Sequence, residues 1–248
     1  MSRLTRCVAL IMAGGRGTRM ARSHGEVPKP LVRVAGLPLL EICVRQLARA
    51  GVRDVRIAVH HAASAVMAWV QDHLRLPGVE TSFLIEERPR GTIGSLNELR
   101  GETRSVLVTN GDLLSGIDLE HMAEFHHERR ADLTIATHTE LHRLKLGEVA
   151  VGPAETVVAY REKPVKEYCI SSGVYLWSPA ALARLGAGDY EALPDVANRL
   201  IAAGCQVLAY HHHEPWLDVN DADDLAVAEG MLRDDPVAFG IDPNLVRP

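Results

Sequence analysis

The first segment suited to chemistry is glycine-rich and runs from Ala13 to Arg19, directly after an apolar run. Its three glycines, Gly14, Gly15 and Gly17, let the backbone approach a ligand closely and turn amide groups toward an anion. Taken alone, the segment is as consistent with an ordinary turn as with an anion site. Its spacing fits neither the GxGxxG of dinucleotide folds nor the GxxxxGK[ST] of P-loop NTPases, so it supports neither class.

A lysine between two prolines comes next, at Pro28-Lys29-Pro30. Proline fixes its own φ, so the backbone around Lys29 is nearly rigid. A rigid backbone suits a cation that must meet a phosphate at one defined point. The glycine-rich segment followed by this lysine therefore indicates a phosphate site near the start of the chain.

Several later segments carry polar residues that have a structural and a functional interpretation. Asn110-Gly111-Asp112 closes an apolar run, and by itself it is more typical of a plain turn. Glu162-Lys163-Pro164 by itself would be a solvated ion pair, and Gly173 in a strand pattern would mark a bulge.

Histidines occur in adjacent groups, which are His60-His61, His126-His127 and His211-His212-His213. Neighbouring residues of an extended strand point to opposite faces, so the run of three is poor geometry for one zinc ion. We therefore do not predict a zinc site. The first pair, His60-His61, follows a predicted strand, so a contact of these residues with substrate is an open alternative.

The elements that position these residues alternate in the first half of the chain, as in βαβ units with a mostly parallel sheet. The predicted strands are residues 7–12, 55–60, 81–85 and 105–109. The predicted helices are residues 39–48, 62–74 and 93–99. Ligands bind open α/β sheets at the carboxyl ends of the strands, where the glycine-rich segment lies.

The pattern changes after Asp112. Short strands are predicted near residues 133–137, 148–151, 156–160, 170–177 and 206–211, and the helices are near residues 119–129, 179–185, 193–203 and 222–232. The tail, residues 234–248, holds three prolines in fifteen residues and predicts an irregular wrap or a partner contact. We expect one α/β domain over residues 1–233, with a mostly parallel, twisted, Rossmann-like sheet and a partly antiparallel second half.

Charge and composition exclude several classes of protein. With 27 Lys and Arg against 32 Asp and Glu, the net charge of −5 argues against a nucleic-acid partner, which would need a basic face. The first apolar run ends at glycines and is too short to cross a membrane, so we expect a cytoplasmic protein without a membrane partner. The four cysteines have no paired spacing, which predicts neither a disulfide framework nor a structural zinc site.

The glycine-rich and Pro-Lys-Pro segments together resemble the GGxGTR and PKP signature of the sugar-1-phosphate nucleotidyltransferases. Further landmarks follow in the family's order over roughly residues 6–230. They are Glu87-Arg88-Pro89-Arg90-Gly91-Thr92 for E-x-P-L-G-T, Asn110-Gly111-Asp112 for NGD, Glu162-Lys163-Pro164 for EKP, Ser172-Gly173-Val174-Tyr175 for the sugar-pocket strand, and Trp216-Leu217-Asp218 for W-x-D. The chain departs from the family at Arg90, which replaces a leucine, and at Asn220-Asp221, which replace Gly-Thr.

The resemblance implies a glycosyltransferase-A-like fold and a role for each matching residue. Arg19, Lys29 and Asp112 would be catalytic. Asp112 and Asp218 would hold Mg²⁺. The nucleotide would contact Ala13, Gly14, Gly15, Gly17, Thr18, Glu87, Gly91, Thr92 and Asn110. The sugar phosphate would contact Gly147, Glu162, Lys163, Gly173 and Tyr175.

The implied reaction converts an NTP and a sugar 1-phosphate into an NDP-sugar and pyrophosphate. Arg19 would hold the leaving β- and γ-phosphates, Lys29 the α-phosphate region and Lys163 the attacking phosphate. The attacking phosphate monoester is already ionised near neutral pH, so no general base is demanded. The short C-terminal region looks closest to mannose- or heptose-1-phosphate guanylyltransferases, so we prefer GTP. CTP, UTP and dTTP, other phosphate acceptors and a homo-oligomer stay open.

Two other functions are alternatives to this one, and each predicts different residues at these segments. A metal-dependent glycosyltransferase of related fold would carry a D-x-D motif in place of Asn110-Gly111-Asp112 and would not need Arg19 and Lys29. A catalytically silent nucleotide-binding regulatory subunit would have lost Lys29, Asp112 or Asp218, and this chain retains all three.

Overall fold

The computed structural model of the chain describes residues 2–15, 27–186 and 191–247. In chain order the strands are β1 (Val8–Met12), β2 (Arg33–Val34), β3 (Leu37–Pro38), β4 (Asp54–Val59), β5 (Glu80–Ile85), β6 (Val106–Asn110), β7 (Leu113–Ser115), β8 (Leu133–Arg143), β9 (Glu148–Val151), β10 (Val157–Arg161), β11 (Val165–Trp177), β12 (Val207–His211) and β13 (Trp216–Asp218). The α-helices are α1 (Leu39–Arg49), α2 (Ala63–His73), α3 (Leu119–Glu128), α4 (Pro179–Leu182), α5 (Leu193–Ala202) and α6 (Ala222–Asp234).

Seven strands form the central sheet, in the order β12-β8-β11-β6-β1-β4-β5. Strand β1 pairs in parallel with β4 and β6, and β4 pairs in parallel with β5. Residues 8–11 of β1 are fully buried, as expected for a parallel strand covered on both faces. The predicted mostly parallel α/β sheet is therefore confirmed.

The second half of the chain adds the antiparallel part of the sheet. Strand β11 runs antiparallel to both β6 and β8, whereas β12 is parallel to β8. The β8–β11 register shifts between Ser171 and Tyr175, where Gly173 has a φ of +75° that favours glycine. This bulge turns the chain toward the end of β6.

Strands β8 and β11 are longer than predicted. Residues 138–143 of β8 pair with residues 165–170 of β11, and we call this ribbon the arm. The hairpin of β9 and β10 connects its two strands in sequence. The arm was underestimated because its residues alternate less clearly between apolar and polar than those of the central strands, and many of them are exposed.

Helices and the tail cover the sheet. The predicted helix at residues 93–99 is instead a 3-10 helix, Gly94–Leu99. Beyond α6, the described part of the tail packs Phe239 and Ile241 into a cluster with α1 and the β2–β3 hairpin. Among residues 2–15, 27–186 and 191–247, no helix is both long and apolar enough to cross a membrane.

Candidate nucleotide and metal site

A cleft with a volume of about 490 Å³ opens at the carboxyl ends of β1, β4 and β6. Its lining residues are Met12, Gly14, Gly15, Ala58, His60, Glu86, Pro89, Arg90, Gly91, Thr92, Asn110 and Asp112. They come from four separate stretches of sequence that the parallel sheet brings to one edge. This is the edge at which open α/β sheets bind ligands.

The glycine-rich segment leaves β1 along the floor of this cleft. The Ala13 amide donates to the Ala58 carbonyl at 2.9 Å, which continues the β1–β4 pairing by one residue. A side chain at Gly14 would begin 3.3 Å from the His60 Cβ, so the backbone of Gly14 passes close to the end of β4. Gly15 also lines the cleft. Gly17, Thr18 and Arg19 lie outside the described residues.

Glu86 is a buried carboxylate in the cleft that sequence reasoning missed. Its amide donates to the Val59 carbonyl at 2.8 Å, so it extends β5, and the Ser95 hydroxyl donates to its Oε1. The sequence-predicted residue, Glu87, is exposed and lies outside the cleft lining. The two glutamates are adjacent, and only the strand direction at the end of β5 decides which of them points inward.

The loop after Glu86 is fastened to the start of α5. The Glu191 amide donates to the Arg90 carbonyl at 2.9 Å, and the Leu193 amide donates to the Thr92 hydroxyl at 3.0 Å. Gly91 has a φ of +89°, and a side chain there would collide with the Glu191 carbonyl. Gly91 and Thr92 therefore line the cleft while they hold its wall in place.

Lys29 meets Asp112 at the mouth of the cleft. Its Nζ donates to Asp112 Oδ2 at 2.6 Å and to Asn220 Oδ1 at 3.1 Å. The side chain of Lys29 is only 11% exposed. Lys29 is the first residue of a 3-10 turn, Lys29–Leu31, and is flanked by Pro28 and Pro30. The rigid turn predicted from the sequence thus directs the ammonium group at a carboxylate.

Asp112 and Asp218 lie side by side because two backbone pairings join their segments. The Val219 amide donates to the Asp112 carbonyl at 3.0 Å, and Asp218 pairs with Leu113 across the antiparallel β7 and β13 strands. Burial, reinforced by the negative charge of Asp112, raises the pKa of Asp218 above its usual value. The like charges therefore favour a cation between them.

The two aspartates fit a hard divalent cation. Asp218 Oδ1 is buried and has no hydrogen-bond partner among the residues that the structure describes. No group of three or more His, Cys, Asp or Glu in the described ranges forms a complete metal site. Mg²⁺ commonly uses one or two carboxylates together with water and substrate phosphates, which is what two neighbouring aspartates can offer.

The residues expected at the sugar phosphate fall into two groups. Gly173 lies against Asn110, since a side chain there would begin 2.9 Å from the Asn110 Nδ2. Tyr175 is buried in the core, and its hydroxyl lies 3.1 Å from Ser171 Oγ. Gly173 therefore borders the cleft through Asn110, whereas Tyr175 packs in the hydrophobic core and does not line the cleft.

The other three lie in the loops beyond the arm. Glu162 and Lys163 are mostly exposed and form an ion pair with each other at 3.8 Å. Gly147 lies against the hydroxyl end of the Tyr160 side chain. None of the three lines the cleft in the described chain.

A family model and several known proteins match most of the chain. The family model described as nucleotidyl transferase matches residues 8–234. The mannose-1-phosphate guanylyltransferase of Mycobacterium tuberculosis is 30% identical over 224 residues, which cover 87% of this chain and 62% of that protein. A UTP–glucose-1-phosphate uridylyltransferase of Synechocystis is 25% identical over 236 residues, which cover 87% of this chain and 61% of that protein. The chain spans about three fifths of the length of these relatives.

Solved structures share the fold. HddC from Yersinia pseudotuberculosis superimposes with a TM-score of 0.72 at 22% identity, covering 91% of this chain and 99% of that one. A second HddC structure, described as complexed with GMP-PN, gives a TM-score of 0.70 at 21% identity and covers 91% of this chain and 99% of that one. The match of the family model over residues 8–234 spans the sheet, the cleft and both aspartates, so the chain belongs to the nucleotidyl transferase family.

Proposed function

We propose that this chain transfers a nucleotidyl group from an NTP to a sugar 1-phosphate and releases pyrophosphate. The observation that carries the proposal is the convergence of Lys29, Asp112 and Asp218 at the mouth of the glycine-lined cleft. Glycosyltransfer needs no such lysine, and a silent binding subunit would not need to retain all three groups. The family relatives named above support the same reaction.

The chemistry asked of these residues is electrostatic. A sugar-phosphate oxygen attacks the α-phosphorus in line, the bond to the β-phosphate oxygen breaks, and both reactants are anions. Lys29 would exchange its contact with Asp112 for the α-phosphate region and stabilise the charge that develops there. Asp112 and Asp218 would hold Mg²⁺, which supplies charge neutralisation to the phosphate oxygens when it is bound.

We propose GTP as the nucleotide because of Glu86. Guanine presents two adjacent donors, N1–H and N2–H₂, to one carboxylate, which accepts hydrogen bonds only. Uracil and thymine present one donor on that edge, and cytosine and adenine place an acceptor nitrogen beside their amino group. The Ser95 hydroxyl donates to Glu86 Oε1 and holds the carboxyl group in place at the cleft wall. The mannose-1-phosphate guanylyltransferase relative supports GTP with a mannose-type 1-phosphate, and the HddC structure described as complexed with GMP-PN has the same fold.

The test is pyrophosphate release measured over GTP, CTP, UTP, dTTP and ATP against a panel of sugar 1-phosphates. We expect GTP with a mannose- or heptose-type 1-phosphate to give the highest kcat/KM. Glu86→Gln should lower kcat/KM for GTP by about 10- to 100-fold, the value of one bidentate base contact. Glu87→Gln, its exposed neighbour, is the matched control and should leave the nucleotide preference unchanged. Equal use of all five nucleotides would contradict the assignment to GTP.

A further inference from the structure

The hairpin of β9 and β10 has two chemically different faces. In its antiparallel register, Val149 lies opposite Tyr160 and Val151 lies opposite Val157. Residues opposite each other on neighbouring strands share a face, and so do alternate residues of one strand. Val158, two positions before Tyr160, therefore lies on the same face as these four residues. We call this side of the hairpin the apolar face.

The other side of the hairpin packs against the arm. Glu148 of β9 forms an ion pair with Lys166 of β11, and Arg161 of β10 lies 3.7 Å from the same carboxylate. Ala150 and Ala159, which lie opposite each other on this side, are half-buried. These contacts fix the orientation of the hairpin, so the apolar face is turned away from the arm.

The apolar face is a large exposed surface. Val151 and Val157 are each 63% exposed, and Tyr160 is 68% exposed. Leu146, in the loop before β9, is 78% exposed and extends this surface. Together with Val149 and Val158, these side chains present roughly 650 Å², more than the roughly 300–600 Å² of the largest apolar patch on a typical monomer. A surface of this size marks an interaction site.

A partner could add a strand to an edge of the hairpin or cover its apolar face. The β9–β10 register shifts between Val157 and Ala159, which is a bulge in β10. A bulge interrupts the regular ladder of backbone groups and is one of the devices by which proteins block pairing between sheet edges. Two-stranded hairpins are only marginally stable until a face is packed. The geometry therefore favours a partner that covers the apolar face.

The two ends of the hairpin carry opposite charges. Glu155, in the turn between the strands, is exposed, and the side chain of Arg161, at the far end of β10, is 59% exposed. A two-fold axis through the middle of the apolar face exchanges these ends between two copies. Glu155 of each copy then faces Arg161 of the other, which is the self-complementarity that a two-fold interface requires. The partner that matches this surface is a second copy of the chain.

We propose that the apolar face is the interface of a homodimer, in which the same face of a second copy covers it. Its roughly 650 Å² approaches the about 800 Å² that each partner buries in a standard stable interface. An apolar centre with charged groups at its rim is also the usual composition of such an interface. This assembly does not depend on the proposed reaction.

The experiment is sedimentation velocity of the full chain over a concentration series. The wild type should have twice the 27.1 kDa mass of one chain and should dissociate on dilution. Val151→Lys should raise the dissociation constant of the dimer by about 100-fold or more, because a charge enters the centre of an apolar contact. Val227→Lys is the matched control at a valine of α6 that is 53% exposed, and it should keep the dimer. Circular dichroism checks that each variant is folded.

A charge exchange tests the two-fold arrangement separately. Glu155→Arg and Arg161→Glu should each weaken the dimer, because each places like charges opposite one another, and the double variant should recover most of the wild-type affinity. Loss of folding cannot produce that recovery. A wild type that is monomeric at every concentration, or a dimer that Val151→Lys leaves intact, would overturn the proposal. A monomer whose apolar face binds phosphatidylcholine vesicles would assign the face to a lipid surface and would overturn it as well. The measurement uses no substrate, so its outcome is independent of nucleotidyl transfer.

Discussion

Lys29 Nζ lies 2.6 Å from Asp112 Oδ2, although 83 positions separate the two residues in the chain. One is the cation expected at the α-phosphate, and the other is a carboxylate expected at the metal. In the described chain they neutralise each other, with Asn220 as a third partner. Substrate binding would therefore replace an internal ion pair by two external ones, one to phosphate and one to the cation.

Replacement of Lys29 tests the first of these contacts. Lys29→Ala should lower turnover by about 10²-fold or more, because a preorganised charge that stabilises the transition state is removed. Steady-state kinetics of the folded variant measure this. Lys145→Ala, at an exposed lysine beyond the arm, is the control and should resemble wild type. Unchanged turnover in Lys29→Ala would remove this lysine from the mechanism.

The metal is tested by chelation and by the two aspartates. EDTA should abolish activity and Mg²⁺ or Mn²⁺ should restore it, because the phosphates need a cation between Asp112 and Asp218. Asp112→Asn and Asp218→Asn should each sharply reduce activity or weaken the metal dependence. Asp234→Asn, at an exposed aspartate in α6, should change neither. Full activity in EDTA, or restoration by zinc alone, would be incompatible with this site.

Variants at the two substrate sites should affect the KM values of the two substrates differently. Lys163→Ala should raise the KM for the sugar 1-phosphate much more than the KM for the NTP, by roughly 10- to 150-fold for the loss of a charge-assisted hydrogen bond of about 1.5–3 kcal/mol. Arg19→Ala, at a position outside the described residues, should show the reverse bias. KM values for both substrates in both variants give the answer. If both variants affected only the nucleotide, the division of the chain into a nucleotide half and a sugar half would be wrong.

The buried histidine His126 should make the free energy of unfolding depend on pH. Burial, reinforced by His127, lowers the pKa of His126 to about 4, so the folded protein holds this ring neutral while the unfolded chain protonates it below about 6.5. The unfolded state therefore binds more protons between these values, and stability falls as the pH drops from about 6.5 to about 4, by about 3 kcal/mol for this group.

Denaturant unfolding at a series of pH values measures that slope. His126→Gln should lose most of it, and His61→Gln, at an exposed histidine, should keep it. Parallel stability curves for His126→Gln and wild type would show that this ring does not carry the acid sensitivity.

Periodicity predicted the centre of the sheet well because its strands are largely buried. Residues 8–11 of β1 and residues 106–108 of its neighbour β6 are continuous buried apolar runs, as is typical of parallel packing. Strands β7 and β13 have only three residues each and were not predicted, since their pairing comes from contacts distant in sequence. That pairing is nevertheless what places Asp218 beside Asp112.

In the candidate site, too, contacts between residues distant in sequence could not be predicted. Motifs identified Lys29 and Asp112 separately, yet no local pattern predicts that they touch. Whether Glu86 or Glu87 points into the cleft depends on where β5 ends, because neighbouring residues of a strand point to opposite faces. Sequence patterns do not fix the end of a strand to one residue.

Nucleotidyl transfer by this chain is measured most directly at the α-phosphorus of the nucleotide. GTP labelled at that atom is incubated with Mg²⁺ and mannose 1-phosphate, and the products are separated. We expect the label to appear in a nucleoside-diphosphate sugar while unlabelled pyrophosphate is released in equal amount. Label that stays in GTP, or that leaves as GDP or GMP without a sugar product, would contradict it.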